Sequence, residues 1–544
     1  MMNHHQCDVV VMGSGSAALS AALRAAVGGL RVLVLEKSAC LGGTSAMSGG
    51  ATWVPANHHA RRQGIKDSCE EALAYLCAAA PDGWQASEEA LWRQMSQQGA
   101  LMLRFLEQHS DLRFALTAES DPLWPLPGAK QQGRMLAPLP LTPRRRWPLR
   151  ATPLPKHFTY HELLDCDLWH QPLRSGLRYL PRLLLRQIRG ELTKGAALIA
   201  GLLDACERAG CEFVTEAPVE SLLMHNDHQV KGVCYRHLGR EIAVQAQHGV
   251  VIASGGFEWD NARRTRHFGE RYDFIASPSD NSGDGQRIAE AVGAQLAHMD
   301  QANMGGGIPA AVGMPWSGLS IYFHYEPNAI LVNQAGKRFT NEFAFNLGEA
   351  LDERDEKGDP QHLPAWLISD ARLLQHAPLL RFYRRRTPGW MRQGKTLAEL
   401  AQQLGLPNGS LEDSVMRFNA QCQRGIDSDY SRHLAHAHSK ADRRFQGGMQ
   451  AIERPPFIAI PFNRTFLATK GGPRTDASGN VQHRDGQPIA GLYCAGAAMA
   501  NPIGTRAVSA GTTLGPNLTW GYICGSSLLA RAQHSIHQEA LCDA

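Results

Sequence analysis

The hydrophobic pattern near the start of the chain predicts a buried strand, a helix and a second strand in close succession. The four apolar residues of "DVVVM" lead directly into Gly13, and the stretch from Ser16 to Val27 is rich in alanine and leucine and contains no proline. Gly28 and Gly29 then stop the helix, and "RVLVLE" supplies the apolar run of the next strand. This order is typical of a β-α-β unit with parallel strands.

The turn between the first strand and the helix consists almost entirely of small residues. Such a turn lets the backbone approach a diphosphate closely, and the N–H groups at the helix N-terminus then bind it. Glu36 ends the second strand, near the spacing at which a carboxylate binds the ribose hydroxyl of a dinucleotide. Glycine-rich turns also occur for purely structural reasons, but this context favours a dinucleotide site. The residues predicted to form it, besides Glu36, are Gly13, Gly15, Ser16, Ala17 and Ala18.

Two later segments repeat the pattern of an apolar strand that ends in a small-residue turn. They are "GVVIASGGFEWD", from residue 249, and "GLYCAGAAMA", from residue 491. A hairpin-like segment with two turn signals, "SG" and "DG", precedes the second one. We therefore predict an α/β nucleotide-binding domain built from residues 1–277 and 456–544, with residues 278–455 forming an inserted domain.

Composition and charge exclude several classes of protein. Of the 544 residues 43% are hydrophobic and 19% are charged, and the net charge of +4 is too small to indicate nucleic-acid binding. No apolar run approaches the length of about 20 residues that a membrane-spanning helix needs, and "MMNHHQC" has no hydrophobic signal core. The 12 cysteines are scattered without a C-x-x-C pair, so neither a zinc site nor an iron–sulfur cluster is indicated. We expect a cytoplasmic protein without a bound metal.

A basic amphipathic pattern lies between residues 174 and 188. Arginines recur every four residues, and large apolar residues are interleaved with them around a central proline: Arg174, Arg178, Arg182 and Arg186, with Leu177, Leu180, Leu184 and Ile188, and Pro181. Most such patterns are the solvated faces of packed helices. Peripheral contact with a membrane surface is the second interpretation.

Seven motifs follow one another along most of the chain: "GSGSAA", "EKSACLGGTSAMSGG", "ASGGF", "NSGDGQRIAEAVGA", "ILVNQAGKRFTNE", "TKGGPRTD" and "GLYCAGAAMA". This set resembles the flavoprotein family that includes fumarate reductase and the 3-ketosteroid dehydrogenases. The resemblance implies a Rossmann-like FAD-binding domain of the GR2 type, with an inserted α+β cap that carries catalytic residues. It also implies FAD as the cofactor.

The resemblance assigns further residues to FAD. We expect Gly42, Gly43, Thr44 and Ser45 at the pyrophosphate, Ser48, Gly49 and Gly50 beneath the isoalloxazine ring, and other contacts from Lys37, Val219, Ala253, Ser254, Gly255, Asp284, Gly496, Thr513 and Leu514. No histidine lies between Glu36 and Gly50, where some relatives attach the flavin covalently, so we expect FAD to bind non-covalently. A second nucleotide fingerprint is not evident, so electrons are expected to pass from FAD to a quinone or another external acceptor.

The residues that fumarate reductases use for a dicarboxylate are missing at the matching positions. The resemblance places Tyr325 where the proton-donating arginine is expected, Ala468 where a histidine is expected and Val508 where a second arginine is expected. Arg506 is close in sequence but two positions out of register. A dicarboxylate needs cations that form paired hydrogen bonds to its oxygens, so this reaction is disfavoured.

The 3-ketosteroid dehydrogenases match these positions better. In that branch a tyrosine near the position of Tyr325 is the base that removes a proton beside the ketone. Tyrosine has a reference pKa of about 10, so its phenolate needs stabilising neighbours. Tyr322 and His324 are the candidates for that role.

The ketone oxygen, on which negative charge develops, needs hydrogen-bond donors. The branch uses a glycine N–H, which matches Gly511, and its Δ1 enzymes also use a tyrosine, whose position here is Ala507. Ser509 lies two residues further on and is the candidate replacement, so the choice between Δ1 and Δ4 desaturation stays open. Structural roles stay open as well: packing for Tyr325, a turn for Ser509 and a helix start for Gly511.

These observations predict an FAD-dependent dehydrogenase that desaturates a lipophilic 3-ketosteroid or related cyclic ketone. The proton is expected to pass to Tyr325 and the hydride to flavin N5. A fumarate-reductase-like enoate reductase is the alternative enzyme. An electron-carrying flavoprotein without a small organic substrate is the alternative from another class.

Overall fold

The computed structural model describes residues 6–168, 170–226, 229–269, 273–320, 323–386, 389–435 and 445–542. Its strands are β1 (Gln6–Met12), β2 (Val32–Leu35), β3 (Thr52–Trp53), β4 (Phe114–Leu116), β5 (Met135–Pro138), β6 (Glu212–Val214), β7 (Val219–Asn226), β8 (Gln229–His237), β9 (Arg240–Ile252), β10 (Phe274–Ile275), β11 (Leu296–Ala297), β12 (Ala302–Pro309), β13 (Gly318–Ser320), β14 (Ile330–Val332), β15 (Trp366–Ser369), β16 (Arg392–Gly394), β17 (Phe457–Pro461), β18 (Asn463–Thr469), β19 (Gly472–Pro473), β20 (Asn480–Gln482) and β21 (Pro488–Cys494). Its helices are α1 (Ser16–Val27), α2 (Gly43–Met47), α3 (His58–Arg62), α4 (Cys69–Ala79), α5 (Trp84–His109), α6 (Tyr160–Asp165), α7 (Pro172–Arg189), α8 (Lys194–Arg208), α9 (Asn261–Phe268), α10 (Asp284–Ala291), α11 (Leu347–Leu351), α12 (Arg372–His376), α13 (Pro378–Arg386), α14 (Leu397–Leu404), α15 (Ser410–Arg424) and α16 (Leu514–Cys542).

The largest sheet takes its eight strands from both ends of the chain. Its order is β20-β21-β8-β9-β1-β2-β6, and β7 pairs with β8. The strands β6, β2, β1, β9 and β21 form parallel pairs, whereas β7–β8, β8–β9 and β20–β21 are antiparallel. Val9, Val10 and Val11 of β1 are fully buried, as expected for a central parallel strand covered on both faces.

Helices α1 and α16 pack closely against each other beside this sheet. Many residues of α1 are alanines with short side chains, and α16 has glycines at the facing positions. A Cβ added at Gly521 would overlap the carbonyl oxygen of Ala17, and one at Gly525 would lie 2.7 Å from that of Ala21. Small residues on both helices therefore permit the close contact.

The segment from β10 to β19 forms separate sheets. The sheets β10-β18-β12-β13 and β14-β15-β17-β16 have four strands each, and β11 pairs with β19. A hydrophobic core that includes Leu331, Leu367 and Ile460 lies here. The predicted return of the chain, near residue 456, falls at β17, which is hydrogen-bonded to β15 and β16. The large sheet itself resumes at β20.

Several local predictions are confirmed. The first helix spans Ser16–Val27 and ends at Gly28. The "SG" turn precedes β20, and the "DG" turn connects β20 to its antiparallel partner β21. The basic amphipathic segment forms α7, with Pro181 inside the helix. Within the described ranges, no helix combines the length and the hydropathy needed to cross a membrane.

A buried arginine connects three parts of the segment between β10 and β19. Arg432 and Glu342 are both fully buried, and the guanidinium donates to Glu342 Oε2 at 3.1 Å. It also donates to the backbone carbonyls of Ala329 at 2.7 Å, Glu326 at 2.7 Å and Tyr325 at 3.3 Å. The side chain of Arg432 therefore fixes the backbone from residue 325 to residue 329.

Glu342 is the carboxylate at the centre of this network. It also accepts from Arg338 at 2.7 Å, and Arg338 in turn pairs with Asp427 at 2.9 Å. Burial alone would raise the pKa of Glu342, but the charges of Arg338 and Arg432 outweigh it and hold that pKa below its ordinary value. These carboxylates and guanidinium groups are buried, so each of them needs the opposite charge of its neighbour to remain ionised.

We predict that Glu342→Gln lowers the free energy of unfolding by about 3–5 kcal/mol, because it leaves buried guanidinium charges without their partner. Urea unfolding of the FAD-loaded protein measures the change, with the exposed Glu241→Gln as the control. Because the folded-state pKa of Glu342 lies below its ordinary value of 4.5, its stabilisation is present above pH 4.5 and is lost as the pH falls through the folded-state pKa. The variant should therefore lose less stability on acidification than the wild type. Equal stability of variant and wild type at pH 7 would contradict the prediction.

Candidate active site

A cavity of about 800 Å³ opens at the carboxyl ends of β1, β2 and β9. At this sheet end it is lined by Gly13, Glu36 and Ala253, which follow those three strands. At its far end it is lined by Tyr325 and Phe445, which belong to the segment from β10 to β19. The crevice at the carboxyl ends of parallel strands is where open α/β sheets bind ligands.

Most of the residues predicted to bind the cofactor line this cavity. They are Gly13, Gly15, Ser16, Ala17, Glu36, Lys37, Gly43, Thr44, Ser45, Ser48, Gly49, Gly50, Val219, Ala253, Ser254, Gly255, Asp284, Gly496, Thr513 and Leu514. Ala18 and Gly42 are not among the lining residues. Ala18 is fully buried in α1, and a Cβ at Gly42 would lie 2.8 Å from the side chains of Ala46 and Ile199. Contact of these two residues with a cofactor stays a prediction.

The turn after β1 requires residues without bulk. Gly13 has a φ of +102°, and a Cβ there would lie 2.6 Å from the carbonyl oxygen of Ala253. Gly15 is the N-cap of α1, without a side-chain capping bond, and the first turn of this helix has no acidic residue. The Ser16 N–H bonds Ser45 Oγ at 3.2 Å. The helix N-terminus at the cavity wall thus suits an anion such as a diphosphate.

Glu36 is held at the end of β2 by two hydrogen-bond donors. Ser14 Oγ donates to its Oε2 at 2.6 Å, and the Ser38 N–H donates to its Oε1 at 2.9 Å. Burial raises the pKa of Glu36 above its ordinary value, although these two hydrogen bonds oppose the rise. Ribose hydroxyls would add further donors to the carboxylate and stabilise its charged form.

The polar atoms at the sheet end fit a bound dinucleotide. Among the described residues, Ser254 Oγ and Asn517 Oδ1 are buried at the cavity without a protein hydrogen-bond partner. Buried polar atoms are normally paired, so such atoms indicate a ligand that would pair with them. Lys37 Nζ lies 2.5 Å from Asp284 Oδ2, which fixes the lysine beside the Glu36 strand end. The residues present therefore fit FAD.

Tyr325 lies at the far end of the cavity in a one-turn 3₁₀ segment. Its side chain is 5% exposed and packs with Phe343 and Phe445. The ring of His324, another lining residue, is inclined by 62° to the tyrosine ring, with 4.4 Å between the ring centroids. Tyr322, the other predicted neighbour, lies outside the described residues.

Ser509 and Ala507 line the cavity on a segment that is fixed from two sides. The Ala507 N–H donates to Asn346 Oδ1 at 3.0 Å, and Asn346 Nδ2 donates back to the Ala507 carbonyl at 3.1 Å. The Tyr75 hydroxyl donates to the carbonyl of Val508 at 2.7 Å. Ser509 is 2% exposed, so any ligand of its hydroxyl must enter the cavity.

Gly511 is not among the lining residues. Its carbonyl accepts from the Trp53 N–H at 3.1 Å, and a Cβ at this position would overlap the backbone of Thr52 and Trp53. The position therefore has a packing reason to be glycine. Donation by its N–H to a substrate stays a prediction.

Two residues at the cavity were not predicted from the sequence. Tyr160, the first residue of α6, donates to Glu119 Oε1 at 3.0 Å, and both line the cavity. The ring of Tyr160 would lie 2.8 Å from a Cβ at Gly49, so it packs on the segment expected beneath the isoalloxazine. The sequence does predict the start of α6, because Thr159 and Glu162 form a capping box. Nothing in it indicates that residue 160 meets residue 119.

The far end of the cavity is largely apolar. Its lining includes Leu163, Leu164, Leu168, Leu319, Phe345, Leu379, Leu467 and Ala468. Of the lining residues that the structure describes, Lys37 and Arg150 are the ones with a permanent positive charge, and both pair with carboxylates, those of Asp284 and Asp280. Arg506 pairs with Glu349 at 2.8 Å instead. His170 and His324 also line the cavity, but the described lining offers no unpaired arginine or lysine for the paired hydrogen bonds of a dicarboxylate. This end therefore suits a neutral lipophilic ligand.

Comparison with known proteins agrees with the cofactor and with the fold. The model of the FAD binding domain family matches residues 8–514. The 4-oxocyclohexanecarboxylate 2-dehydrogenase of Sinomonas cyclohexanicum is 35% identical, over 96% of this chain and 93% of its own. The 3-oxosteroid 1-dehydrogenase of Mycolicibacterium smegmatis is 31% identical, over 98% of this chain and 99% of its own.

Among solved structures, this chain is similar to the 3-ketosteroid delta1-dehydrogenase from Sterolibacterium denitrificans in complex with 1,4-androstadiene-3,17-dione. The TM-score is 0.85 at 30% identity, over 97% of this chain and 100% of the other. The predicted family and the predicted cofactor, FAD, are thereby confirmed. The chain belongs to the FAD-binding flavoprotein family that includes fumarate reductase, in its 3-oxosteroid dehydrogenase branch.

Proposed function

We propose that this flavoprotein desaturates a neutral lipophilic cyclic ketone, a 3-ketosteroid or a related compound, with Tyr325 as the base. The observation that carries the proposal is the far end of the cavity, where a buried tyrosine lies among apolar walls. The names of the relatives support it, because a 3-oxosteroid and 4-oxocyclohexanecarboxylate both contain a ketone in a ring. No unpaired arginine or lysine is present among the described lining residues. This favours the 3-oxosteroid, which carries no charge on the ketone ring, over the carboxylate.

In this proposal, Tyr325 takes a proton from the carbon beside the ketone. Its turn is held from behind by Arg432, and its ring is held by Phe343 and Phe445. FAD, when bound, supplies the acceptor for the hydride that leaves the neighbouring carbon. The chain's own part is to hold the tyrosine and the apolar substrate together in a site that excludes water.

Donors to the ketone oxygen come from two elements in this proposal. Ser509 offers a buried hydroxyl on the segment where relatives carry a tyrosine, and Tyr160 offers a phenol from α6. In a complex, the Tyr160 hydroxyl can turn its proton from Glu119 to the ketone oxygen. Such donors stabilise the charge that develops as the proton leaves. The Gly511 N–H, predicted from the sequence, would be a third donor.

The proposal includes the architecture and the partners predicted from the sequence. Residues 1–277 and 456–544 would form the Rossmann-like FAD-binding domain of the GR2 type, and residues 278–455 the α+β cap. The mixed sheet built from both ends of the chain supports this division. FAD would bind non-covalently and pass electrons to a quinone or another external acceptor, and the protein would contact a membrane peripherally. The cytoplasmic location stays a prediction.

Anaerobic titration of the FAD-loaded protein tests the function. A panel of 3-ketosteroids and cyclohexanones should include a compound that bleaches the flavin absorbance and yields a product two hydrogens lighter by mass spectrometry. An electron carrier would stay oxidised with every compound. Reoxidation of the reduced flavin by fumarate would instead support the enoate reductase.

We predict that Glu36→Ala weakens FAD binding by about 10–100-fold, because hydrogen bonds to a charged acceptor contribute about 1.5–3 kcal/mol. Fluorescence titration of the apoprotein with FAD measures the change, and Glu220→Ala in the same sheet is the control. Denaturation of the wild type should release all of the flavin into solution. Unchanged affinity in the variant would remove Glu36 from the FAD site, and flavin that stays with the precipitate would refute non-covalent binding.

We predict that Tyr325→Phe keeps FAD and binds the ketone but reduces the flavin about 10²–10⁴-fold more slowly, as expected for loss of a general base. Anaerobic stopped-flow absorbance measures the rate. The control is Tyr383→Phe, whose hydroxyl donates to the carbonyl of Pro309 outside the cavity. If the flavin of the variant is reduced as fast as that of the wild type, another residue is the base, and Tyr322 is the next candidate.

We predict that Ser509→Ala and Tyr160→Phe each slow flavin reduction, by up to about 10²–10³-fold for a donor that contacts the oxyanion directly. Tyr522→Phe, away from the cavity, is the matched control. If only one of the two variants is slow, that residue is the donor that replaces the tyrosine missing at Ala507. If both match the wild type, the ketone lies in a different orientation and this part of the proposal fails.

A further inference from the structure

Helix α7 carries its apolar residues on its outer face. Leu173 and Ile188 are each 82% exposed and Leu177 is 71% exposed. At 3.6 residues per turn these positions fall on one stripe, together with two further exposed residues, Leu180 and Leu184. A surface helix normally turns such a stripe toward the core, so α7 presents the reverse arrangement.

The opposite face of α7 packs on the wall of the cavity. Ser175 and Tyr179 are buried, and Tyr179 belongs to a cluster with Phe158 and Cys166. Two members of the surrounding apolar group, Leu163 and Leu168, line the cavity as well. Helix α7 and the side chains packed under its inner face therefore lie between the outward stripe and the cavity.

The polar face of α7 is strongly basic. Helix α7 contains five arginines and no acidic residue. Arg178 pairs with Asp165 at 2.8 Å and Arg182 lies 3.8 Å from Glu162, yet both arginine side chains stay at least 60% exposed. Their guanidinium groups are thus accessible to further anions on the same helix that carries the apolar stripe.

A second basic helix begins close to α7. Helix α13 has four arginines and no acidic residue, and its Leu379 lines the cavity. His170, just before α7, and His376, just before α13, both contact the carboxylate of Glu326. The starts of these two basic helices therefore lie close to each other at the cavity.

We propose that α7 lies in the plane of an anionic membrane, with its apolar stripe in the acyl region and its arginines at the headgroup phosphates. A basic helix with a polar face and an exposed apolar face binds bilayers in this way. A second copy of this chain fits the surface less well, because it would bring five more arginines against the same helix. The docking specifies the peripheral membrane contact of the proposed function and is independent of the proposed reaction. The benefit to catalysis, delivery of a lipophilic ketone from the membrane into the adjoining cavity, rests on that reaction.

Vesicle flotation of the FAD-loaded full chain tests the proposal. Phosphatidylcholine vesicles are compared with vesicles of phosphatidylcholine and phosphatidylglycerol in equal parts. The variant is Leu177→Ser with Ile188→Ser. The matched control is Leu238→Ser with Met416→Ser, whose native side chains are 84% and 66% exposed on other parts of the surface.

The wild type and the control should float with the anionic vesicles, and added salt should weaken their binding. The α7 variant should bind at least about tenfold more weakly, because two large apolar side chains no longer enter the acyl region. Equal flotation of the two double variants, or no flotation of the wild type, would overturn the proposal. Light scattering that shows dimers lost only in the α7 variant, without vesicle binding, would assign the stripe to a second copy instead.

Flavin reduction by a water-soluble cyclic ketone, without vesicles, separates this proposal from the proposed function. Both double variants should be reduced like the wild type, because the substituted side chains do not line the cavity. A protein that floats but is reduced by no ketone would refute the function and leave the docking intact. A protein that is reduced but does not float would refute the docking alone.

Discussion

The position of Tyr325 depends on a single buried guanidinium. Arg432 is fully buried, so its charge needs partners inside the protein, and its two terminal nitrogens donate to the backbone of residues 325 to 329 and to Glu342. The hydrogen bonds of this guanidinium connect residues 325–329 and Glu342 with Arg432, which lies about 90 positions or more further along the chain. The turn that faces the cavity is thereby held by charge and hydrogen bonding as well as by packing, and the proposed chemistry requires this fixed geometry.

The two ends of the cavity have different physical characters. At the sheet end, small residues and a helix N-terminus let a polar dinucleotide approach the backbone, and the cations Lys37 and Arg150 are each paired with an aspartate. At the far end, Phe343 and Phe445 pack with Tyr325, and several leucines line the cavity. A cofactor with a polar nucleotide and a planar ring fits such a gradient.

The sequence predicted the nucleotide half well because local patterns determine it. The strand, turn and helix around Gly13 and the carboxylate of Glu36 follow from short-range periodicity and spacing. Gly42 is not among the cavity-lining residues, and a Cβ there would meet the side chain of Ile199 in α8. Only the folded chain could reveal this.

The substrate half was less predictable because it is built from long-range contacts. Tyr160 meets Glu119 across 41 positions of sequence, and Gly511 packs on the strand that contains Trp53. The apolar stripe on α7 could be predicted from the helical spacing of large apolar residues in the sequence. Which face of the helix packs inward depended on Tyr179 meeting Phe158 and Cys166, and a helical period alone does not distinguish the two faces.

An isotope effect on flavin reduction tests the central claim most directly. A cyclic ketone deuterated at the two carbons that become the new double bond is mixed anaerobically with the FAD-loaded protein, and the loss of flavin absorbance is timed against the undeuterated compound. If the Tyr325 site removes a proton and a hydride from these carbons, the deuterated ketone should bleach the flavin several-fold more slowly. Equal rates, in a reaction confirmed to be limited by the reduction step, would contradict the account.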